Sequence, residues 1–309
     1  MVIVFKFLAL LFLALPAMAQ EVITVYSPYS AGHGGNVAFQ KVLERANVQQ
    51  KKYVFVMELK PGAQGVIALT TMNEHPQSRL AIIHAAFVDN LEAGTIKEED
   101  YRPVHSIGDA CWAVISSTAT RPGDLSSMKG TGEITIGTVG FGNVTHLTAM
   151  SIAEKYGLSS RLIVFKSNYD AVVNMAGNNG INFGIERISV VKQFEKLNPK
   201  MKAIAMSCPT RYSADPKLKT LKEQGIDVPS VFNIVMSNQA MLEEKRVSIG
   251  KILDQATKSV GLAEIQQLSD MRSSVFDNVT VTDFYNKRIA SIRYLRNKYR
   301  NEINQSRSN

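Results

Sequence analysis

The residues whose types and spacing bear on chemistry sit in two glycine-rich turns. Ser30 and His33 lie in Pro28-Tyr-Ser-Ala-Gly-His-Gly-Gly-Asn36, and Thr145 and His146 in Thr138-Val-Gly-Phe-Gly-Asn-Val-Thr-His146. A hydroxyl near an imidazole raises nucleophilic catalysis, which needs a base within hydrogen-bond reach. Ser30 lacks the first glycine of a nucleophile elbow. The candidate bases have plainer roles: His33 as a loop donor, His84 as a strand-end residue and His146 as a polar residue in a helix's first turns. The chain contains no GxxxxGK[ST], HExxH or CxxC motif, so nucleotide hydrolysis and zinc chemistry lack their usual supports. Gly140-Phe-Gly-Asn-Val-Thr145 misses the dinucleotide fingerprint at its last position, and no acidic residue follows roughly twenty positions on. The reading is a protein that is not an enzyme and needs no cofactor or metal. An exported hydrolase using Ser30 or Thr145 is the rival.

What both turns offer is a place for an anion. Val22-Ile-Thr-Val-Tyr26 predicts a strand buried on both faces, and Phe39, Val42, Leu43 and Ala46 fall on one face of a helix. Asn36 stands where an N-cap belongs, so free amides and the positive end of the helix dipole suit a carboxylate or phosphate. An ordinary glycine-rich turn with no ligand is the alternative. The second turn repeats the pattern before a helix that runs to Tyr156 and stops at Gly157.

Further strands are predicted at Tyr53-Val-Phe-Val-Met57 and Arg79-Leu-Ala-Ile-Ile-His84, with Lys60-Pro-Gly-Ala-Gln-Gly65 and a helix from Val66 to Asn73 between them. That alternation implies a parallel sheet with ligands at the carboxyl ends of its strands. Ala110-Cys-Trp-Ala-Val-Ile-Ser116 predicts one strand crossing between lobes, ended by the turn Thr120-Arg-Pro-Gly-Asp124, and Val231-Phe-Asn-Ile-Val-Met236 a return. The last helix, Asp283 to Ile303, carries Tyr285, Ile289, Ile292, Tyr299 and Ile303 on one face, and its cations predict a solvated basic face or a dock for an acidic partner.

The 309 residues are 45% hydrophobic and 20% charged, as in a globular protein, and the net charge of +8 favours anionic partners without choosing among them. Met1 to Ala19 has Lys6, the apolar run Phe7 to Leu15 and the ending Ala17-Met18-Ala19, which predicts a secretory signal peptide too short to span a bilayer. The mature protein is then exported and not membrane-embedded. Cys111 and Cys208 read equally as one disulfide or as two buried thiols.

Pro28-Tyr-Ser-Ala-Gly32, Lys60-Pro-Gly-Ala-Gln-Gly65, Asp100-Tyr-Arg-Pro-Val104, Gly137-Thr-Val-Gly-Phe-Gly142 with His146-Leu147, and the stretch from Val164 to Glu186 follow one another in an order that resembles the Bug-type solute receptors of tripartite tricarboxylate transporters. The resemblance covers nearly the whole mature chain. It implies an α/β, two-lobed periplasmic binding protein type II fold, each lobe a mostly parallel sheet flanked by helices, with hinge crossover strands. The implied domains are a signal peptide at 1–19, lobe 1 at 20–115, lobe 2 at 116–230 and a return to lobe 1 with C-terminal helices at 231–309. The implied ligand is a small organic anion, a mono- or dicarboxylate, presented in the periplasm to the permease subunits of a tripartite transporter. A membrane sensor kinase is the alternative recipient, and nucleic acid is not expected. Implied ligand contacts are Tyr29, Ser30, Ala31, Gly32, His33, Gly34 and Gly65 in the first lobe, and Thr138, Val139, Gly140, Thr145, His146 and Glu186 in the second. The chain departs from the family where His33 takes a glycine position and Asn36 an aspartate position. His33 there offers a donor, or a charge at low pH.

Overall fold

The computed structural model describes residues 20–308 apart from 111, 118–124, 130, 131, 166, 178, 209, 213, 214, 227, 229 and 230. The predicted signal peptide and the predicted turn at 120–124 lie outside the described residues. The first lobe opens with β1 (Glu21–Ser27), α1 (Gly34–Gln49), β2 (Tyr53–Leu59), α2 (Val66–Asn73), β3 (Arg79–Ile83), α3 (Ala86–Glu92) and β4 (Tyr101–Ala110). Next come β5 (Trp112–Ser116), β6 (Glu133–Thr138), α4 (Val144–Tyr156), β7 (Ser159–Val164), α5 (Asn168–Ala176), β8 (Phe183–Arg187), α6 (Ile188–Leu197) and β9 (Lys202–Met206). The chain closes with β10 (Val231–Asn238), α7 (Glu243–Val260), α8 (Leu262–Ser269), β11 (Met271–Arg272), α9 (Val281–Lys298) and α10 (Arg300–Ser308).

These strands form two sheets, ordered β11-β4-β10-β3-β1-β2 and β7-β6-β8-β5-β9. Without the short β11, the two orders are the same arrangement made twice. β1 runs parallel to β2 and β3, and β6 parallel to β7 and β8. The one reversed strand in each is β10 or β5, antiparallel to both neighbours. Each reversed strand is the one that has just arrived from the other sheet, so the crossovers and the reversals have one cause. The strand predicted over 110–116 is divided. Its Trp112–Ser116 part pairs with β8 and β9, so the chain changes sheet between Ala110 and Trp112, ahead of the boundary expected at 115 and 116.

Apolar periodicity decides the packing. Phe39, Val42, Leu43 and Ala46 of α1 lie against Ile23, Val25 and Phe55 of the first sheet, with Ile249 and Leu253 of α7. Complete burial of a side chain such as Phe39 contributes about 1.5–3 kcal/mol. On the opposite face, Leu69, Phe87, Ile289 and Ile292 cover Tyr26, Ile83 and Ile234. That second cluster also takes in Leu147 and Met150 of α4 with Tyr299 and Ile303, so the two lobes share apolar core there.

All five apolar residues predicted for the last helix are buried, but the helix ends at Lys298 and a second begins at Arg300. Of its cations Lys287 and Arg300 are exposed, and four others are ion-paired. Arg288 pairs with Asp109, Arg293 with Glu98, Arg296 with Asp89 and Glu92, and Lys298 with Glu154. Cys208 is disulfide-bonded; the sequence holds one other cysteine, Cys111, outside the described residues. Among the described residues no helix is long and apolar enough to cross a membrane.

Candidate functional site

The first turn folds differently from its sequence expectation. Helix α1 begins at Gly34 and its N-cap is His33, not Asn36. His33 Nδ1 accepts the Gly35 N–H at 3.1 Å, and the His33 carbonyl accepts the N–H groups of Asn36 and Val37. Asn36 sits inside the first turn as a loop staple: it accepts from the Ser27 hydroxyl at 2.5 Å and donates to the Ser30 carbonyl at 3.0 Å. The amides of His33, Gly35, Asn36 and Val37, among those expected to await an anion, are therefore engaged within the loop. Ser30, Ala31 and Gly32 are exposed, while Gly34 is buried close to Arg187 and the Leu268 carbonyl. The Tyr29 ring stacks on His33 at 3.8 Å and leans on His84 at 5.4 Å, and its hydroxyl donates to Asn233 of β10.

The second turn leaves two amides of its helix without an acceptor among the described residues. Thr138, at the end of β6, places its hydroxyl 3.1 Å from both the Gly140 carbonyl and Asn143 Oδ1. Asn143 caps α4 by accepting the His146 N–H at 2.9 Å, and the buried His146 accepts the Gly142 N–H on Nδ1 at 2.8 Å. Val144 and Thr145 occupy the first helical positions, whose N–H groups have no intrahelical acceptor. Gly142 has φ +75°, the left-handed region that favours glycine, and it lies beside Arg296 and Ile303.

Between the lobes lies a cavity of about 880 Å³. The first lobe contributes Gln64, His84 and α3; the crossing strands contribute Trp112 and Val231. Residues 139–145 and Asn168 close it from the second lobe, and Ile292 and Arg296 from α9. Of the residues expected from sequence, Val139, Gly140 and Thr145 line this cavity. Thr138 and His146 support them from beneath. Tyr29 and His33 stand behind His84, and a Cβ on Gly65 would lie 3.6 Å from His84 Nε2. Ser30, Ala31, Gly32 and Gly34 are not in the lining, nor is Glu186, which is buried at the end of β8 and accepts the Arg187 N–H at 2.7 Å.

Charge in the cleft is arranged by burial. Desolvation lowers the His84 pKa to about 4, and His33 falls to about 4 through desolvation first, then the Arg187 charge and His84. His84 Nδ1 accepts the Ala86 N–H at 3.3 Å, so the neutral ring carries its proton on Nε2. The low-pH charge expected at His33 thus does not develop between pH 5 and 8. Desolvation raises the Glu186 pKa against the opposing Arg187 N–H and charge. Arg296 binds Asp89, Glu92 at 2.7 Å and the Gly142 carbonyl at 3.2 Å. Gln64 adopts a left-handed conformation at φ 53°, and its carbonyl accepts from Asn90.

Sequence reasoning placed the turn from Gly62 to Gly65, which holds Gln64, near the ligand, but did not assign Trp112, Asn143 or Arg296 to the site. Trp112 is the chain's single tryptophan, which was a signal available in composition. Trp112 Nε1 and Asn143 Nδ2 are buried with no acceptor among the described residues.

Neither a protein-family model nor a curated protein matches the chain. Solved structures do. A TctC solute binding protein from Polaromonas is 20% identical over 91% of this chain and 99% of its own, with a TM-score of 0.71. The periplasmic binding protein BugD is 16% identical over 91% and 97%, with a TM-score of 0.68. The chain has the fold of these solute-binding proteins. MatC from Rhodopseudomonas palustris, solved with bound malate, has the same solute-binding fold at 14% identity over 92% and 99%, with a TM-score of 0.63.

Proposed function

We propose that this protein is an exported receptor that captures a small organic carboxylate in the cleft between its lobes and presents the closed form to a membrane permease. The observation that carries this reading is the cavity itself, walled by both lobes, with Val144 and Thr145 at the start of α4 on one side and the neutral His84 on the other. A carboxylate there exchanges water for several N–H donors, and charge-assisted hydrogen bonds offset its desolvation. Because each lobe holds part of the ligand, binding favours the closed state over the open one, and that shift is what a permease reads. The solute-binding fold, and malate in one protein that has it, support the same reading. A hydrolase is disfavoured by the arrangement of its candidate nucleophiles: Ser30 is exposed and Thr145 donates to Asn168 at 3.3 Å, each without an imidazole partner among the described residues.

The test is a thermal-shift screen of the chain from residue 20 onward against mono-, di- and tricarboxylates, amino acids and aromatic acids. A binder present at a hundred times its dissociation constant adds about 2.7 kcal/mol of stability. A clear rise in melting temperature with a carboxylate is the expected result. A panel without any carboxylate binder overturns the proposal.

A further inference from the structure

We infer that the cleft selects a monocarboxylate with an uncharged, largely apolar body and rejects dicarboxylates of the same skeleton. The inference rests on the receptor reading above and narrows its ligand class. It comes from asking where each negative charge of a ligand would find its balance. The side chains lining the cavity include two carboxylates, Asp89 and Glu92, and one guanidinium, Arg296, among the described residues. That guanidinium is ion-paired with both carboxylates and donates to the Gly142 carbonyl; its Nε is buried beside Glu92 without a well-directed hydrogen bond, and its side chain is only 12% exposed. His84 is neutral at pH 7 and supplies a hydrogen-bond donor without a charge.

Helix ends are the remaining source of positive potential. His33 binds the N–H groups of Gly35, Asn36 and Val37 at the start of α1, and His84 and Ala85 bind those of α3. Helix α4 brings the N–H groups of Val144 and Thr145 to the cleft without an intrahelical acceptor, which corresponds to about half an elementary charge. Trp112 and Asn143 also line the cavity, and their Nε1 and Nδ2 are buried donors without an acceptor among the described residues. These groups together suit one carboxylate. A second would be desolvated in the same chamber as Asp89 and Glu92, with no further lining cation among the described residues to pair with it. The rest of the wall, including Ala85, Ala86, Phe141, Val144, Val231 and Ile292, suits an apolar body.

Carboxylates matched in skeleton separate the possibilities: hexanoate against adipate, and benzoate against phthalate, titrated calorimetrically into the full mature chain at pH 7. The expected result is that the tightest binder of the panel is a monocarboxylate, preferred by about tenfold or more over its dicarboxylate partner, a difference of about 1.4 kcal/mol. In Glu92→Gln, one wall charge is removed while the shape is kept, so the dicarboxylate should gain affinity and the gap narrow. Equal or tighter binding of the dicarboxylates overturns the inference and leaves the receptor reading standing. Absence of binding by every carboxylate, in a chain that melts cooperatively, overturns both.

Discussion

At the scale of single residues, imidazoles are used as neutral acceptors. His33, His84 and His146 each take a backbone N–H on Nδ1. For His33 and His84 this has a consequence for stability, because their pKa values fall from 6.5 to about 4 on folding. The unfolded chain then binds protons more readily between those values, so stability is complete above pH 6.5 and is lost as pH falls towards 4. The slope is about 1.4 kcal/mol per pH unit for each group. Chemical denaturation from pH 7.5 to 4 should show this decline, and His33→Ala should reduce it while lowering stability at pH 7 by about 1 kcal/mol through the lost N-cap. A flat profile would contradict the assignment. Sequence alone located His33 in the right loop but gave it the wrong task. An N-cap is decided by which side chain reaches the free N–H, and composition favours asparagine where geometry here chose the imidazole. Asn36 was drawn instead into the bonds with Ser27 and Ser30.

At the scale of elements, α9 and α10 act as a strap across both lobes. α9 packs on the first sheet through Ile289 and Ile292. Its end is tied to α4 of the second lobe by Lys298 to Glu154 at 2.5 Å, by the Tyr299 hydroxyl to Glu154 at 2.6 Å, and by Ile303 beside Gly142. Truncating Ile303 to Ala should cost about 2–5 kcal/mol if this seam belongs to the cooperative core, read as a drop in melting temperature. A loss below about 0.5 kcal/mol would place the strap outside that core. The apolar stripe was legible because its period is helical. The destination of the cations was not: Arg288, Arg293, Arg296 and Lys298 look solvated in a helical projection, and their partners come from distant parts of the chain, Asp109, Glu98, Asp89 and Glu154.

At the scale of the whole molecule, two copies of one strand order face each other across a cleft, and the two reversed strands lead into it from both sides. The strand and helix alternation made this arrangement readable, since hydrophobic period and glycine turns are local signals. The cleft wall was less so, because Trp112, Asn143 and Arg296 converge only once the lobes are assembled. That convergence provides the most direct test of the central claim. Trp112, the single tryptophan, borders the cleft at the crossing between sheets, so its emission reports on that place alone. Titrating the carboxylate that most raises the melting temperature should change Trp112 fluorescence saturably, with the affinity found by calorimetry. A ligand that stabilises the protein and leaves Trp112 emission unchanged would place binding elsewhere and contradict the account.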